Sequence, residues 1–432
     1  MPSDSSHIIY TALNYPEIVY RFYHDHLFKT AWHNDSSQAM ADSLFYFLRS
    51  VRLYGLLPQN YHLAELETLH TSSPDSVYRK EVLFTDAFVS LANDLKYGRL
   101  NSTLNSDKDS LIWPVLENAF ECLQVKQILE AQEPIHKQYK DLKESLGRIL
   151  RTADSIDFAL LFSGVTIDSI EIHKKVRLVE VNMERWRLEK IEIEKRCIWI
   201  NIPSFQLHFI ENGQVVMKSR IVVGKPESPT PVLNSLVECI TLNPYWYVPR
   251  KIAVEEYLPE IQRDTSFLTR NNFDVLDRKG NILNPDTLNW KTYTTKYFPV
   301  SLRQREGPEN SLGVIKFVFD NPYAVFLHDT NIKSLFRKNV RAFSHGCIRM
   351  EKALDLAKYL VPNPEKIELK LRSKERYTVN IPSPVPIYTR YFTCESINGE
   401  LNFYDDVYSL DKPIIDYLYN TRPVSLSMTK IR

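Results

Sequence analysis

The run Cys197-Ile198-Trp199-Ile200-Asn201-Ile202, then Phe205-Gln206-Leu207-His208-Phe209-Ile210 and Asn212-Gly213, decides how this chain divides. Apolar and β-branched residues alternate with period two, which lines one face of a strand with side chains that can be buried. An Asn-Gly pair between two such runs predicts a hairpin, because both turn positions need positive φ. The returning strand is expected over 214–223. Before residue 190 the texture is different, so a domain boundary is placed near that position.

Upstream, from Tyr10 to about Glu130, apolar residues recur at helical spacing, as in Ala39-Met40-Ala41-Asp42-Ser43-Leu44-Phe45-Tyr46-Phe47-Leu48 and Glu81-Val82-Leu83-Phe84-Thr85-Asp86-Ala87-Phe88-Val89. Turn formers break the pattern at Gly55-Leu56-Leu57-Pro58, at Ser72-Ser73-Pro74-Asp75 and from Asn101 to Asp109. A further helix is expected over 136–150, then an ambiguous connector, then a short helix over 181–188. Downstream, more strands are expected at 236–242, 314–319, 324–327, 367–371 and 386–394, and an amphipathic helix over 351–361. The Pro-, Tyr- and Asn-rich interval 243–313, with a helical piece near 254–262, is too long for an ordinary strand connection and reads as a lid. The expected fold is α+β: a helical domain over 1–190, a β-rich domain over 191–412 with 243–313 inserted as a cap, and a poorly anchored tail over 413–432.

Length and composition limit the function. At 432 residues two or three compact units are expected. The 54 basic residues nearly balance the 53 acidic ones, so no polyanionic partner is indicated and nucleic acid is an unfavoured target. No stretch is long and apolar enough for a membrane-spanning helix. Met1-Pro2-Ser3-Asp4-Ser5-Ser6 lacks the basic and apolar regions of a secretory signal, so an exported protein would be present here in processed form. The cysteines Cys122, Cys197, Cys239, Cys347 and Cys394 are odd in number and show no C-x-x-C spacing, which argues against a zinc site or a disulfide framework. His24-Asp25-His26 has no adjacent third ligand, and no metal or cofactor is expected.

Chemistry concentrates in Ala324-Val325-Phe326-Leu327-His328-Asp329-Thr330 and Arg341-Ala342-Phe343-Ser344-His345-Gly346-Cys347-Ile348-Arg349-Met350. A thiol attacks as thiolate, so it needs an imidazole to take its proton and fixed positive dipoles to hold the anion. His328 and His345 are candidate bases. The predicted helix over 351–361 would place its positive end near Cys347. The N–H groups of Gly346 and Cys347 are the candidate oxyanion donors. For an isolated cysteine or histidine the ordinary reading is a small buried residue or a satisfied core imidazole, and the other four cysteines keep it. The assembled group does not.

The pattern His-x-Thr followed by Ser-His-Gly-Cys-x-Arg resembles the signature of L,D-transpeptidases with a YkuD-type catalytic domain. Asn243-Pro244-Tyr245-Trp246-Tyr247-Val248-Pro249, Glu255-Glu256-Tyr257-Leu258-Pro259, Asn310-Ser311-Leu312-Gly313, Asn182-Met183-Glu184-Arg185-Trp186 and the stretch from Pro384 to Tyr408 resemble its larger, scaffold-bearing, YcbB-like branch. The resemblance implies Cys347 as nucleophile and His328 as its base, oriented by the backbone carbonyl of Asp329, with His345 in support. It also implies that Arg349 braces the loop and that Ser344 positions the turn, with direct substrate contact open for both, and that Trp246, Tyr245, Asn321 and Arg341 are candidates for binding the peptide stem. The interval 243–313 is similar to a capping subdomain. Relatives often carry a small peptidoglycan-binding module, for which residues 150–180 are too few.

The implied activity is peptidoglycan 3→3 cross-linking through a Cys347 thioester from a tetrapeptide donor, outside the cytoplasmic membrane, in cell-wall synthesis and cell shape. The implied ligands are peptidoglycan stem peptides, carbapenem-type β-lactams as covalent inhibitors, and cell-wall synthesis proteins, with the chain itself a monomer. Two alternatives remain open: a cysteine hydrolase of the same stems, acting as L,D-carboxypeptidase or endopeptidase, and a wall-binding scaffold without activity.

Overall fold

A computed structural model describes residues 13–34, 37–101, 109–163, 167–189 and 192–419. Contacts divide the chain into two units: residues up to 192 with 393–404 and 409–419, and residues 193–392 with 405–408. The fold is mixed α+β, a helical N-terminal region followed by a β-rich one.

In the helical unit, the helix Pro74–Tyr97 is buried from Glu81 to Leu95. Its start is fixed locally: Pro74 sits in the first turn, where its missing N–H costs nothing, and Ser73 and Ser76 form a reciprocal capping box. Around it pack the helices Pro16–Asp25, Gln38–Arg49 and others, with Val19, Phe22, Trp32, Leu44, Phe47 and Phe88 in the core. The expected connector is helical instead: one helix runs Lys137–Ser163, and the expected short helix 181–188 is the end of Ile167–Leu188. A hairpin, Cys394–Ile397 with Glu400–Phe403, also belongs to this unit. Ser396 meets Ser145 at 2.9 Å, the Arg148 guanidinium donates to the Gly399 carbonyl at 2.7 Å, and Thr393 N donates to Asn182 Oδ1 at 2.9 Å. The start of the expected tail is a helix, Asp411–Tyr419, that buries Ile414 and Leu418; the rest of that tail and the break over 102–108 lie outside the described residues.

The second unit contains β1 (Cys197–Asn201), β2 (Gln206–Glu211), β3 (Gln214–Gly224), β4 (Leu233–Leu242), β5 (Trp246–Tyr247), β6 (Phe273–Leu276), β7 (Ile282–Leu283), β8 (Ser301–Gln304), β9 (Ile315–Phe319), β10 (Leu327–His328), β11 (Ala342–Ser344), β12 (Ile348–Met350) and β13 (Tyr377–Arg390). The Asn212-Gly213 hairpin joins β2 and β3 as the opening run predicts. A 9-stranded sheet has the order β11-β3-β12-β10-β9-β4-β13-β1-β2, and the further β3–β2 pairing closes it on itself as a barrel. Ile315, Phe317 and Phe319 of β9, Leu327 of β10 and Ile348 and Met350 of β12 point to the core. The interval between β4 and β9 forms its own small sheet, β5-β8-β6-β7, and its own core of Val254, Leu258, Ile261, Val275, Trp290 and Leu302. Within it, a π-helical turn, Ala253–Tyr257, interrupts the chain between Arg250–Ile252 and Leu258–Arg263.

Two strand expectations are corrected. Residues 367–371 lie in a helix, Pro364–Ser373, started by Pro364. Of 324–327 only Leu327 enters a strand, because the Asn321 side chain closes a turn: its amide donates to the Val325 and Phe319 carbonyls, and its oxygen accepts from Val325 N and Tyr323 N.

Candidate active site

β10 lies parallel to β12 with His328 opposite Arg349, and antiparallel to β9 with His328 opposite Lys316. Ile348 N donates to the Phe326 carbonyl at 2.8 Å, which puts Cys347 beside Phe326. Because side chains alternate between faces, Cys347, Arg349, His328, Phe326 and Lys316 share the face turned away from the barrel core. The sheet therefore assembles residues far apart in sequence.

The Cys347 thiol is half-buried. Burial pushes it above its ordinary value, while the Phe326 N–H and the Lys316 and Arg349 cations pull it back. No helix end contributes as the sequence suggested: β12 follows Cys347, and the helix begins only at Ala353. A helix dipole falls off within its first turn.

His328 is 3% exposed. Its Nδ1 faces the Asp329 carbonyl at 2.5 Å. A carbonyl only accepts, so Nδ1 carries the proton and Nε2 is left with its lone pair. Burial, aided by Arg349 and Lys316, lowers this imidazole to about 3, so it is neutral at any physiological pH. The Asp329 carboxylate accepts from Val314 N at 3.1 Å and pairs with Lys333, which fixes the carbonyl that holds the ring. Among the described residues no hydrogen bond joins the ring to the Cys347 sulfur. Proton-transfer contacts often tighten only with substrate bound.

His345 is exposed on the turn and its Nε2 meets Glu256 Oε1 at 2.6 Å. Glu256 belongs to the π-helical turn, and π-bulges are frequent at functional sites. The next residue, Tyr257, is hydrogen-bonded to Ser311 and lies within electrostatic reach of Arg349. Glu256 and Tyr257 lie in the stretch Glu255-Glu256-Tyr257-Leu258-Pro259 that carries the family resemblance, but no role at the site was indicated for them or for Lys316.

Several expected contacts are spent inside the protein. The Gly346 N–H, expected to face an oxyanion, donates to Ser344 Oγ at 3.2 Å, and its carbonyl accepts from Thr230 Oγ1 at 2.8 Å. Ser344 itself is 1% exposed and donates to the Cys347 carbonyl at 2.5 Å, so it shapes the turn and does not face a ligand. The Cys347 N–H makes no hydrogen bond among the described residues. Arg341 is buried and donates to the carbonyls of Ile221 at 3.1 Å, Phe205 at 3.1 Å and Lys338 at 2.6 Å, which leaves no donor fork for a peptide. Asn321 is likewise used by its own turn. Trp246 packs in the cap against Tyr257 and Phe273, and Tyr245 lies under the guanidinium groups of Arg303 and Arg376 at 4.8 and 5.9 Å.

Comparison with known proteins gives the site its context. Residues 195–381 match the L,D-transpeptidase catalytic domain family YkuD, and residues 17–146 match the Scaffold domain family. A Haemophilus influenzae protein named "Putative L,D-transpeptidase" is 33% identical over 236 residues, which are 54% of this chain and 48% of that protein. The chain thus spans about half the length of the curated relative it matches. A solved structure, that of the Ldtfm-avibactam carbamoyl enzyme, is 14% identical, with 46% of this chain and 49% of that chain covered and a TM-score of 0.22. The chain thus joins a Scaffold domain at residues 17–146 to a YkuD L,D-transpeptidase catalytic domain at residues 195–381.

Proposed function

We propose that the chain is a cysteine acyltransferase that forms 3→3 cross-links in peptidoglycan through a thioester on Cys347. The observation that carries this reading is the shared sheet face of Cys347 and a neutral His328 whose Nδ1 is fixed by the Asp329 carbonyl. The Cys347 sulfur attacks the carbonyl of the third residue of a tetrapeptide stem as its proton passes to His328 Nε2. Negative charge collects on the former carbonyl oxygen, and the unengaged Cys347 N–H is the donor available to it. The C–N bond to the terminal D-Ala then breaks, and the departing amine takes the proton from His328. An acceptor amine attacks the thioester, gives a proton back through the same imidazole and restores the thiol. The polar work is done by groups held before substrate arrives, which lowers the reorganisation each step needs.

The Glu256 contact to His345 joins the cap to the nucleophile's own turn. A cap closed over the thioester excludes water and so favours the amine over hydrolysis. The substrate sets the location outside the cytoplasmic membrane. No helix among the described residues is long and apolar enough to cross a membrane. The same thiol, presented with a strained β-lactam carbonyl, is expected to be acylated by carbapenems.

Intact-protein mass spectrometry tests the nucleophile: wild type should gain the mass of one carbapenem, and Cys347→Ala should gain none. An adduct on the alanine variant refutes the assignment. Incubation with a disaccharide tetrapeptide tests the fate of the thioester, with cross-linked dimer expected. A tripeptide product without dimer would give the function to the carboxypeptidase reading.

A further inference from the structure

Lys316 is half-buried, yet none of the ion pairs among the described residues includes it, and none includes Arg349. A cation withdrawn from water without a carboxylate costs stability, so two of them beside one thiol call for an anion. Their place in the sheet shows which anion is near. Lys316 stands opposite His328 across β9 and β10, and its ammonium lies 3.4 Å from the centroid of the Phe326 ring, the residue beside Cys347. The ring's negative face orients the ammonium on the site side of the sheet.

We propose that Lys316 is the electrostatic partner of Cys347, holding the negative charge of its thiolate and of the attacking sulfur. The inference rests on the reading of Cys347 as nucleophile. The groups that face Lys316 are His328 on β10, Cys347 just before β12 and Arg349 on it, Cys239 on β4, and Arg376 before β13; Tyr257 of the cap faces Arg349. None of these groups is a carboxylate, and burial favours the neutral thiol of Cys239 and the neutral phenol of Tyr257, so among these groups no resident anion competes for the ammonium. The electrostatics agree: Lys316 draws the thiol downward, and Cys347 draws the amine upward against the lowering by burial and Arg376. Because His328 is held neutral beside two cations, a thiolate–imidazolium pair gains little from its imidazolium half. The lysine supplies the compensating charge.

The test is the pH dependence of Cys347 alkylation by iodoacetamide, followed on the Cys347 peptide by mass spectrometry so that the other thiols do not contribute. Lys316→Gln should move the midpoint upward by about half to one pH unit and slow alkylation at pH 7 by about 3- to 10-fold. Lys316→Arg, which keeps the charge, should stay within about twofold of wild type. Lys316→Met keeps the apolar stem over Phe326 and replaces the glutamine variant if that one fails to fold. Coincident profiles for the neutral variants and wild type overturn the proposal. So does an unchanged profile with a raised KM for the tetrapeptide donor, which would make Lys316 a substrate carboxylate anchor. Alkylation reads the thiol directly, so failure of the transpeptidase reading would show in the carbapenem and dimer assays and leave this result standing.

Discussion

Gly313 offers a quantitative test of how His328 is held. It has φ +60, and a Cβ built on it would lie 2.5 Å from Asp329 Cγ and 2.6 Å from Asp329 Cβ, where no real contact is tolerated. Asp329 cannot swing aside freely, being 6% exposed and tied to Val314 N and Lys333. Gly280 is the matched control: it has φ +88 in the turn between β6 and β7, with open space around the position of a Cβ. Alanine at either position carries the left-handed backbone penalty of about 1–2 kcal/mol. At Gly313 the overlap adds about 1–3 kcal/mol, so Gly313→Ala should cost about 2–5 kcal/mol in all. For a unit of this size that is a fall in Tm of about 4–20 °C, against about 2–8 °C for Gly280→Ala. The catalytic consequence separates the two further. Pushing Asp329 moves the carbonyl that orients the imidazole, and misplacement by tenths of an ångström should slow carbapenem acylation about tenfold or more, whereas Gly280→Ala should acylate at the wild-type rate. The measurements are differential scanning calorimetry and timed intact-mass acylation. Equal melting of the two variants, or wild-type acylation by Gly313→Ala, refutes the reasoning.

Two other outcomes follow from the buried polar groups. His328 is held to about 3 in the folded protein and titrates near 6.5 when unfolded, so the unfolded chain binds more protons in between. Its contribution to stability is complete above about pH 6.5 and is lost as pH falls toward 3; His208, held to about 4 by burial and then by Lys218, adds to the same limb. His328→Gln should therefore flatten the decline of Tm between pH 7 and 4, and an unchanged decline would show that the imidazole is not desolvated. Arg341→Lys should lose about 1–3 kcal/mol by leaving carbonyls of Ile221, Phe205 or Lys338 without a donor, with donor KM unchanged. Intact stability with a raised KM would return Arg341 to substrate binding.

The barrel was legible because Cys197 to Asn201 is a largely apolar run buried throughout, Gln206 to Ile210 alternates, and Asn212-Gly213 names its own turn. Ile367-Glu368-Leu369-Lys370-Leu371 also alternates, yet it is helical: Pro364 begins a helix, the residues are good helix formers, and Leu369 is 67% exposed, so the alternation never met a sheet face. In β13 the prolines between Asn380 and Val385 hid a strand, which absorbs them in a register shift against β4. At the site, the motif spacing singles out Cys347, His328 and His345 as candidates. It did not indicate which polar groups are already occupied. The resemblance implies Arg341 and Asn321 as stem-binding candidates and Ser344 as a turn former; all three satisfy backbone groups of the protein, Asn321 and Ser344 within their own turns and Arg341 across to Ile221 and Phe205. Lys316 became visible only through strand order, since no local pattern says which strand lies beside β10.

The hairpin Cys394–Ile397/Glu400–Phe403 and the helix Asp411–Tyr419 complete a unit whose first residues are made some 400 positions earlier. On the ribosome, the catalytic barrel is fully synthesised before the helical unit has received its last pieces, so the half that begins first is the half that finishes last. A partly made chain carries the Ser145, Arg148 and Asn182 partners exposed until their mates emerge. Cleavage or a premature stop beyond residue 408 would accordingly register as a defect of the helical unit, which loses the helix Asp411–Tyr419, while residues 193–392 and 405–408 of the barrel unit are complete.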